Sequence, residues 1–319
     1  MKVKANVLAV ACVRMTNRRF PGKCMAELGS YPVMGHIIDR LTQSQSVRKA
    51  VVATPESQAN APIWDLAISL GCPVVVGPEH DVVARMEKAV QRHAEDGDFI
   101  YRAMADQPFF DWDALDSEVS IMRAQNWDFV LPLTFDEDPV YGASAHLWTR
   151  RTWHAITNQS RSDEREHPGM WLRRNLSKFN YGLLDLPHWT YRPYRLELDT
   201  EEDLELCNVL YGGWDGDGPP PLRWAVQQMD RNPALAAING HVEEKTGTYT
   251  SFTKAEVKAW RQDYVDRTVV WSDVAGLVGT IQEESDGRFR CLVCDGPMAV
   301  VRIKKDRRWR RNDLITRCM

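Results

Sequence analysis

Val7-Leu-Ala-Val-Ala-Cys-Val13 runs directly into Arg14-Met-Thr-Asn-Arg-Arg-Phe-Pro-Gly-Lys23, and this junction decides how the rest of the chain reads. The apolar run is too short to cross a bilayer, which takes about 20 apolar residues, and no small-residue cleavage site follows it. It reads as a buried strand. The segment behind it is polar and cationic, and beyond that Met34, Ile37, Ile38 and Leu41 fall at helical spacing. Strand, loop and helix in that order open an α/β unit.

The same alternation continues outward. Lys49 to Thr54 is β-branched, Ala61 to Leu70 is helical and ends at Gly71, and Val74 to Val76 is a further strand. Asp81 to His93 carries Val82, Met86, Ala89 and Val90 on one face, and Asp98 to Met104 is a strand that stops before Asp106 and Pro108. Alternating strands and helices predict an α/β fold with a parallel sheet. Ligands bind such sheets outside the carboxyl ends of the strands, so the loops after Val13, Ala53 and Met104 should share one rim. Beyond Asn126 the pattern loosens. Phe129 to Leu133 and Tyr194 to Leu198 read as strands, Arg161 to His167 as a charged loop, and Glu201 to Leu210 as a helix. Gly212 to Pro221 is a glycine and proline connector, and Arg223 to Asn239 is helical with a turn at Asn232-Pro233.

At 319 residues with 44% hydrophobic content, the chain can bury a substantial core. Its net charge of -4 supplies no global field to recruit nucleic acid or an anionic membrane, so contact with a polyanion has to be local. The seven cysteines are odd in number and mostly scattered, which fits a reducing compartment, the cytoplasm, better than a disulfide framework.

The loop at 14 to 23 sets Arg14, Arg18, Arg19 and Lys23 directly behind a core strand. Arginine forks can grip phosphate oxygens, and a lysine offers a compact charge for a phosphoryl group in transfer. Cations alone fit a solvated loop equally well. Asp106 ends a strand and Asp199 precedes a helix, so both carboxylates could reach the ligand rim and bind Mg²⁺ together with phosphate oxygens. Asp199 or Thr200 could instead cap the helix that starts at Glu201.

The order Arg14, Arg19, Pro21, Gly22, Lys23 resembles the signature loop of the cytidylyltransferases that make CMP-activated sugars, the spore-coat polysaccharide and acylneuraminate type in particular. That signature reads approximately Ala-Arg-Met-Gly-Ser-Thr-Arg-Leu-Pro-Gly-Lys. The resemblance continues in register through Val51-Val-Ala-Thr54, Asp81-Val-Val-Ala-Arg85, Asp106-Gln-Pro108, Arg165-Glu-His167, Arg195-Leu-Glu-Leu-Asp-Thr-Glu-Glu-Asp203 and Asn232-Pro-Ala-Leu to Asn239-Gly-His-Val-Glu-Glu-Lys245. It implies a mixed, mostly parallel sheet between helices, like that of the nucleotide-diphospho-sugar transferases, over residues 1–245. It implies a Mg²⁺-dependent enzyme that moves CMP from CTP to a sugar, an acidic one by analogy, and releases pyrophosphate. Lys23 and Arg14 would carry the chemistry; Arg19, Gly22 and Arg85 would join them on the nucleotide; Asp106 and Asp199 would hold the metal; and Arg165, Glu166 and His167 would meet the acceptor. Thr16 and Ala105 stand where the resembled family has glycine, which puts activity or nucleotide choice in question.

Residues 246–319 lie beyond the resemblance, and their short alternating runs between Gly and Asp turns read as a small β-rich, SH3-like module. Cys291-x-x-Cys294 and Cys318 supply too few ligands for a structural zinc site, so none is expected. Lys304, Lys305, Arg307, Arg308, Arg310 and Arg311 surround Trp309 in a run suited to a phosphate backbone, though a solvated edge strand accounts for it as well. Two other functions remain open: a glycosyltransferase using a nucleotide sugar, and a nucleotide or polyanion binder without turnover. The first normally carries an Asp-x-Asp metal motif; here the strand ends in Ala105-Asp106-Gln107, and Asp111-Trp-Asp113 comes late. The sequence leaves monomer and homodimer open.

Overall fold

A computed structural model describes residues 6–132, 140, 146–185, 187–242, 269–271, 281–283, 289–291 and 297–298. The first half alternates strand and helix as the sequence predicts: β1 (Val7–Cys12), a hairpin of β2 (Glu27–Leu28) and β3 (Tyr31–Pro32), α1 (Val33–Gln43), β4 (Val47–Pro55), α2 (Ala61–Ser69), β5 (Val74–Gly77), α3 (Val82–His93) and β6 (Phe99–Met104). Then follow α4 (Trp112–Gln125), β7 (Phe129–Pro132), β8 (Leu147–Thr149), α5 (Arg150–Gln159), α6 (Gly169–Arg173) and β9 (Tyr181–Asp185). Helices α7 (Glu201–Gly212), α8 (Leu222–Arg231) and α9 (Pro233–Asn239) close the body.

The sheet runs β9-β7-β8-β6-β1-β4-β5, and β10 (Val269–Trp271) adds to it in parallel alongside β9. Strand β1 lies between β4 and β6, parallel to both, with Val10 opposite Val51 on one side and Arg102 on the other. Helices cover both of its faces, so Val7 to Ala11 are all buried, which is why the run is continuously apolar rather than alternating. Among the described strands of this sheet only β8 runs antiparallel, against β6 and β7, which makes the sheet mixed.

Local signals place the helix ends. Gly71, at φ 67°, terminates α2 in the left-handed region that favours glycine. The Asp81 side chain accepts from the Ala84 amide at the start of α3, and Asp111 accepts from the amides of Asp113 and Ala114 at the start of α4. That use of Asp111 explains the late Asp-x-Asp as a helix start.

Tyr194 to Leu198 departs from the sequence reading. It is extended, with Arg195 alone as a bridge residue, and forms no strand among the described residues; Leu198 donates its amide to the Asp106 carbonyl at 2.7 Å. Leu196 and Leu198 turn into a second core with Leu206, Leu210, Val226 and Met229, so the following helices belong to the same body. The Gly212 to Pro221 connector is anchored there by Arg40, whose buried guanidinium donates to the Phe110 carbonyl at 3.1 Å, to the Tyr211 hydroxyl at 3.2 Å and to the Pro220 carbonyl. It also lies over the rings of Phe109 and Trp112.

In the tail, β11 (Ile281–Glu283), β12 (Phe289–Cys291) and β13 (Pro297–Met298) pair antiparallel. The cationic run 304–311, Cys294 and Cys318 lie outside the described residues. Among the described residues no helix is long and apolar enough to cross a membrane.

Candidate active site

The carboxyl ends of β1 and β6 open onto a cleft of about 1000 Å³ lined by Arg14, Thr16, Arg18, Arg19, Glu166, His167 and Asp199 among others. The cationic loop forms one wall, and it is built rather than loose. The Met15 amide donates to Asn60 Oδ1 at 3.0 Å, Asn17 Nδ2 donates to the Arg14 carbonyl at 3.0 Å, and the Gly22 amide returns to the Met15 carbonyl at 2.9 Å. Gly22 has φ 75°, a left-handed conformation a side chain would strain, and from it the chain turns into a single 3-10 turn that begins with Lys23.

That turn points Lys23 inward. Its ammonium donates to Asp106 Oδ2 at 2.7 Å and to Asp199 Oδ1 at 2.6 Å, with only 5% of the lysine side chain exposed. Burial works against the charge, but the two carboxylates outweigh it and hold the ammonium above the ordinary lysine range. Glu197, which the sequence reading did not select, completes the group: ligand oxygens of Asp106, Glu197 and Asp199 lie within 4.8 Å of one another. Period-2 alternation carries the signal for it, since Arg195, Glu197 and Asp199 share the polar face of a stretch whose Leu196 and Leu198 face the core.

The helix cap falls to Thr200, whose hydroxyl accepts from the Asp203 amide. Asp199 is thereby left to the site, with its second oxygen 3.5 Å from Arg195. Arg195 is in turn gripped by Asp203 at 2.8 and 3.0 Å, and Asn239 donates to the same carboxylate at 2.8 Å. This buried network holds the Asp199 backbone, whose amide donates to Asp203 at 2.8 Å.

The donor set suits a hard divalent cation. Three carboxylates converge, and Asp106 Oδ1 is buried with no hydrogen-bond partner, an arrangement that leaves an oxygen available to a metal such as Mg²⁺.

The remaining candidates divide. Arg14, Arg18 and Arg19 line the cleft, and Arg14 pairs with Glu166 across it at 3.2 Å. Thr16 donates its hydroxyl to Glu79 at 2.5 Å, and Ala105 packs against the main core. Glu166 and His167 line the opposite wall, whereas Arg165 is engaged by Asp81 at 2.6 Å and by the Thr157 carbonyl. Arg85 lies buried behind the cleft, where its guanidinium donates to the carbonyls of Pro78 at 2.6 Å and Glu79 at 2.5 Å.

Residues 9–216 match the family model described as cytidylyltransferase. The chain belongs to the cytidylyltransferase family. Similar proteins include the spore coat polysaccharide biosynthesis protein SpsF of Bacillus subtilis, 27% identical over 238 residues that span 72% of this chain and 97% of that one. A 3-deoxy-manno-octulosonate cytidylyltransferase of Anaeromyxobacter dehalogenans is 24% identical over 119 residues, covering 37% of this chain and 48% of its own. The solved structure of a cytidylyltransferase from Leptospira borgpetersenii superimposes with a TM-score of 0.65 at 22% identity, over 72% of this chain and 95% of that one. That superposition carries the nucleotidyltransferase-like fold, a mixed and mostly parallel sheet flanked by helices. The family match ends at residue 216 and so leaves out the residues after 245.

Proposed function

We propose that the protein transfers CMP from CTP to an acidic sugar and releases pyrophosphate, with Mg²⁺ held by Asp106, Glu197 and Asp199. The observation that carries this reading is the meeting of Lys23 with Asp106 and Asp199 at 2.7 and 2.6 Å beside a loop of three further cations. The similarity to a 3-deoxy-manno-octulosonate cytidylyltransferase supports an acidic acceptor.

In this reading Arg14, Arg18 and Arg19 grip the triphosphate from the cleft wall, and the Lys23 ammonium offsets charge that grows on the α-phosphoryl group and the departing pyrophosphate. The metal, when bound, neutralises phosphate charge. A sugar hydroxyl oxygen forms a bond to the α-phosphorus as the bond from that phosphorus to the bridging oxygen of pyrophosphate breaks. His167, on the opposite wall, is the side chain we assign to the hydroxyl proton. Arg14 leaves Glu166 for the phosphates in the same event, since one guanidinium edge cannot serve both. Because the protein mainly positions and neutralises, rigidity of the loop between Met15 and Gly22 matters more than any single acid or base.

The test is pyrophosphate release with each nucleoside triphosphate against a panel of acidic, amino and neutral sugars, with Mg²⁺ present or chelated. CTP with an acidic sugar and metal should exceed every other combination. Equal rates with all four nucleotides, or release indifferent to chelation, would reject this assignment.

A further inference from the structure

Arg102, in the middle of β6, is 92% buried by its 8% relative exposure, yet its side chain has no hydrogen-bond or ion-pair partner among the described residues. A charge withdrawn from water without compensation is among the most costly arrangements a protein can hold. Nearly all buried polar groups are paired, so such an exception calls for a reason. Arg85 on α3 stands in electrostatic contact with Arg102, and its Nε is likewise buried and unpartnered.

The surroundings are cationic. The Arg102 amide donates to the His146 carbonyl at 2.9 Å. The His146 ring is driven down to about 3 by burial first, and then by the charges of Arg102, Arg173 and His167. Among the described residues no acidic side chain pairs with Arg102. Two buried guanidiniums, each with an unpartnered Nε, lie beside a histidine kept neutral, a charge arrangement suited to an anion.

We infer that Arg102, seconded by Arg85, binds the carboxylate of the acceptor and so selects acidic over neutral acceptors. The inference rests on the function proposed above; the sequence reading did not select Arg102 and put Arg85 with the nucleotide. Placement decides between the two anions the reaction brings. The triphosphate has its own cations in Arg14, Arg18, Arg19 and Lys23 on the loop wall. Arg102 sits instead beside His146, within electrostatic reach of Arg173 and of His167, which lines the cleft; Arg85 lies between Arg102 and Arg14. A guanidinium fork reads a carboxylate through two parallel hydrogen bonds, whereas a neutral hydroxymethyl group in the same place leaves those donors unpaired.

The experiment compares the parent, Arg102→Met and Arg102→Lys in the full-length chain. Calorimetry measures binding of α,β-methylene-CTP, which cannot be split at the reacting bond, and then binding of 3-deoxy-manno-octulosonate, N-acetylneuraminate and their methyl esters to the nucleotide complex. Thermal melting is run in parallel in pyruvate or acetate against chloride at equal ionic strength. Arg102→Met should melt no lower than the parent, because it removes an uncompensated charge, and should keep methylene-CTP affinity within about twofold. It should lose the carboxylate-specific rise in melting temperature and about 30-fold or more in acidic-acceptor affinity, with Arg102→Lys recovering part of each. A carboxylate response equal to the parent's would overturn the inference. So would a large drop in melting temperature, which would make Arg102 a structural residue, and so would a selective loss of methylene-CTP, which would assign it to the nucleotide phosphates. If the parent itself binds no methylene-CTP, the proposed function fails, while the pyruvate arm still decides whether Arg102 receives a carboxylate.

Discussion

Replacing Lys23 by methionine keeps much of the side-chain length and removes the charge, which leaves Asp106, Glu197 and Asp199 facing one another without the ammonium. The parent contacts are 2.7 and 2.6 Å, and the Asp199 side chain is 3% exposed while that of Asp106 is 14% exposed. At an effective dielectric constant of about 20, one such pair is worth roughly 6 kcal/mol before desolvation is subtracted. Removing one partner of a buried pair typically costs about 3–5 kcal/mol, because the charge left behind is uncompensated. Lys23→Met should therefore lose about 3–5 kcal/mol of stability in urea titrations with chelator present. Mn²⁺ or Mg²⁺ should restore a large part of that loss while stabilising the parent far less, since in the variant the cation replaces the ammonium rather than competing with it. Pyrophosphate release should fall by roughly 10²-fold or more even where metal restores folding, as expected when a preorganised cation leaves a phosphoryl-transfer site. An equal stability loss with and without divalent cation would show that the carboxylates are not a cation site, and turnover within a few-fold of the parent would remove Lys23 from the chemistry.

The cap and the metal site should separate by mutation: Thr200→Ala should cost about 1 kcal/mol of stability and leave Mn²⁺ affinity intact, whereas Asp199→Asn should cut Mn²⁺ affinity with the α7 cap in place. A Glu197→Gln variant with unaltered Mn²⁺ affinity would take Glu197 out of the ligand set. Burial, and after it the Asp111 charge, raises the Glu118 carboxyl from 4.5 to about 8. The folded state thus holds that proton more tightly than the unfolded chain, so the contribution of Glu118 to stability should be fully present below about pH 4.5 and be lost as the pH rises to about 8; Glu118→Gln should remove this component of the pH dependence, and equal pH profiles for both proteins would exclude the assignment. A chain ending at Lys245 removes β10 from the β9 edge but keeps Lys23, Asp106 and Asp199, so it should retain CTP affinity by calorimetry; aggregation or loss of affinity would show that residues 246–319 are not a separable module.

Much of the first half was legible because each helix and strand there carries its own local signal. The apolar run before Arg14, the helical spacing of Met34 to Leu41, the Asp81 cap and the stop at Gly71 need no distant partner to be read. The segment between Trp112 and Tyr181 was harder. Helix α4 has no strong apolar stripe, and β8 and β9 are short strands whose place, including the antiparallel turn of β8, is fixed by neighbours rather than by composition. Tyr194 to Leu198 shows the same limit from the other side, since alternation marks an extended segment but not whether a sheet will accept it.

The site divides along that line. The sequence by itself determined that a cationic, glycine-turned loop follows β1 and that acidic residues stand at the end of β6 and before α7, because those features are local in the chain. It left open whether Asp199 or Thr200 caps the helix, gave Glu197 no role, and passed over Arg102 as one residue of a strand. Only the tertiary structure decided these points. Lys23 meets Asp106 and Asp199 across 83 and 176 residues of chain, and the charge state, ligand capacity and unpaired donors of buried groups depend on such distant contacts and on exclusion from water.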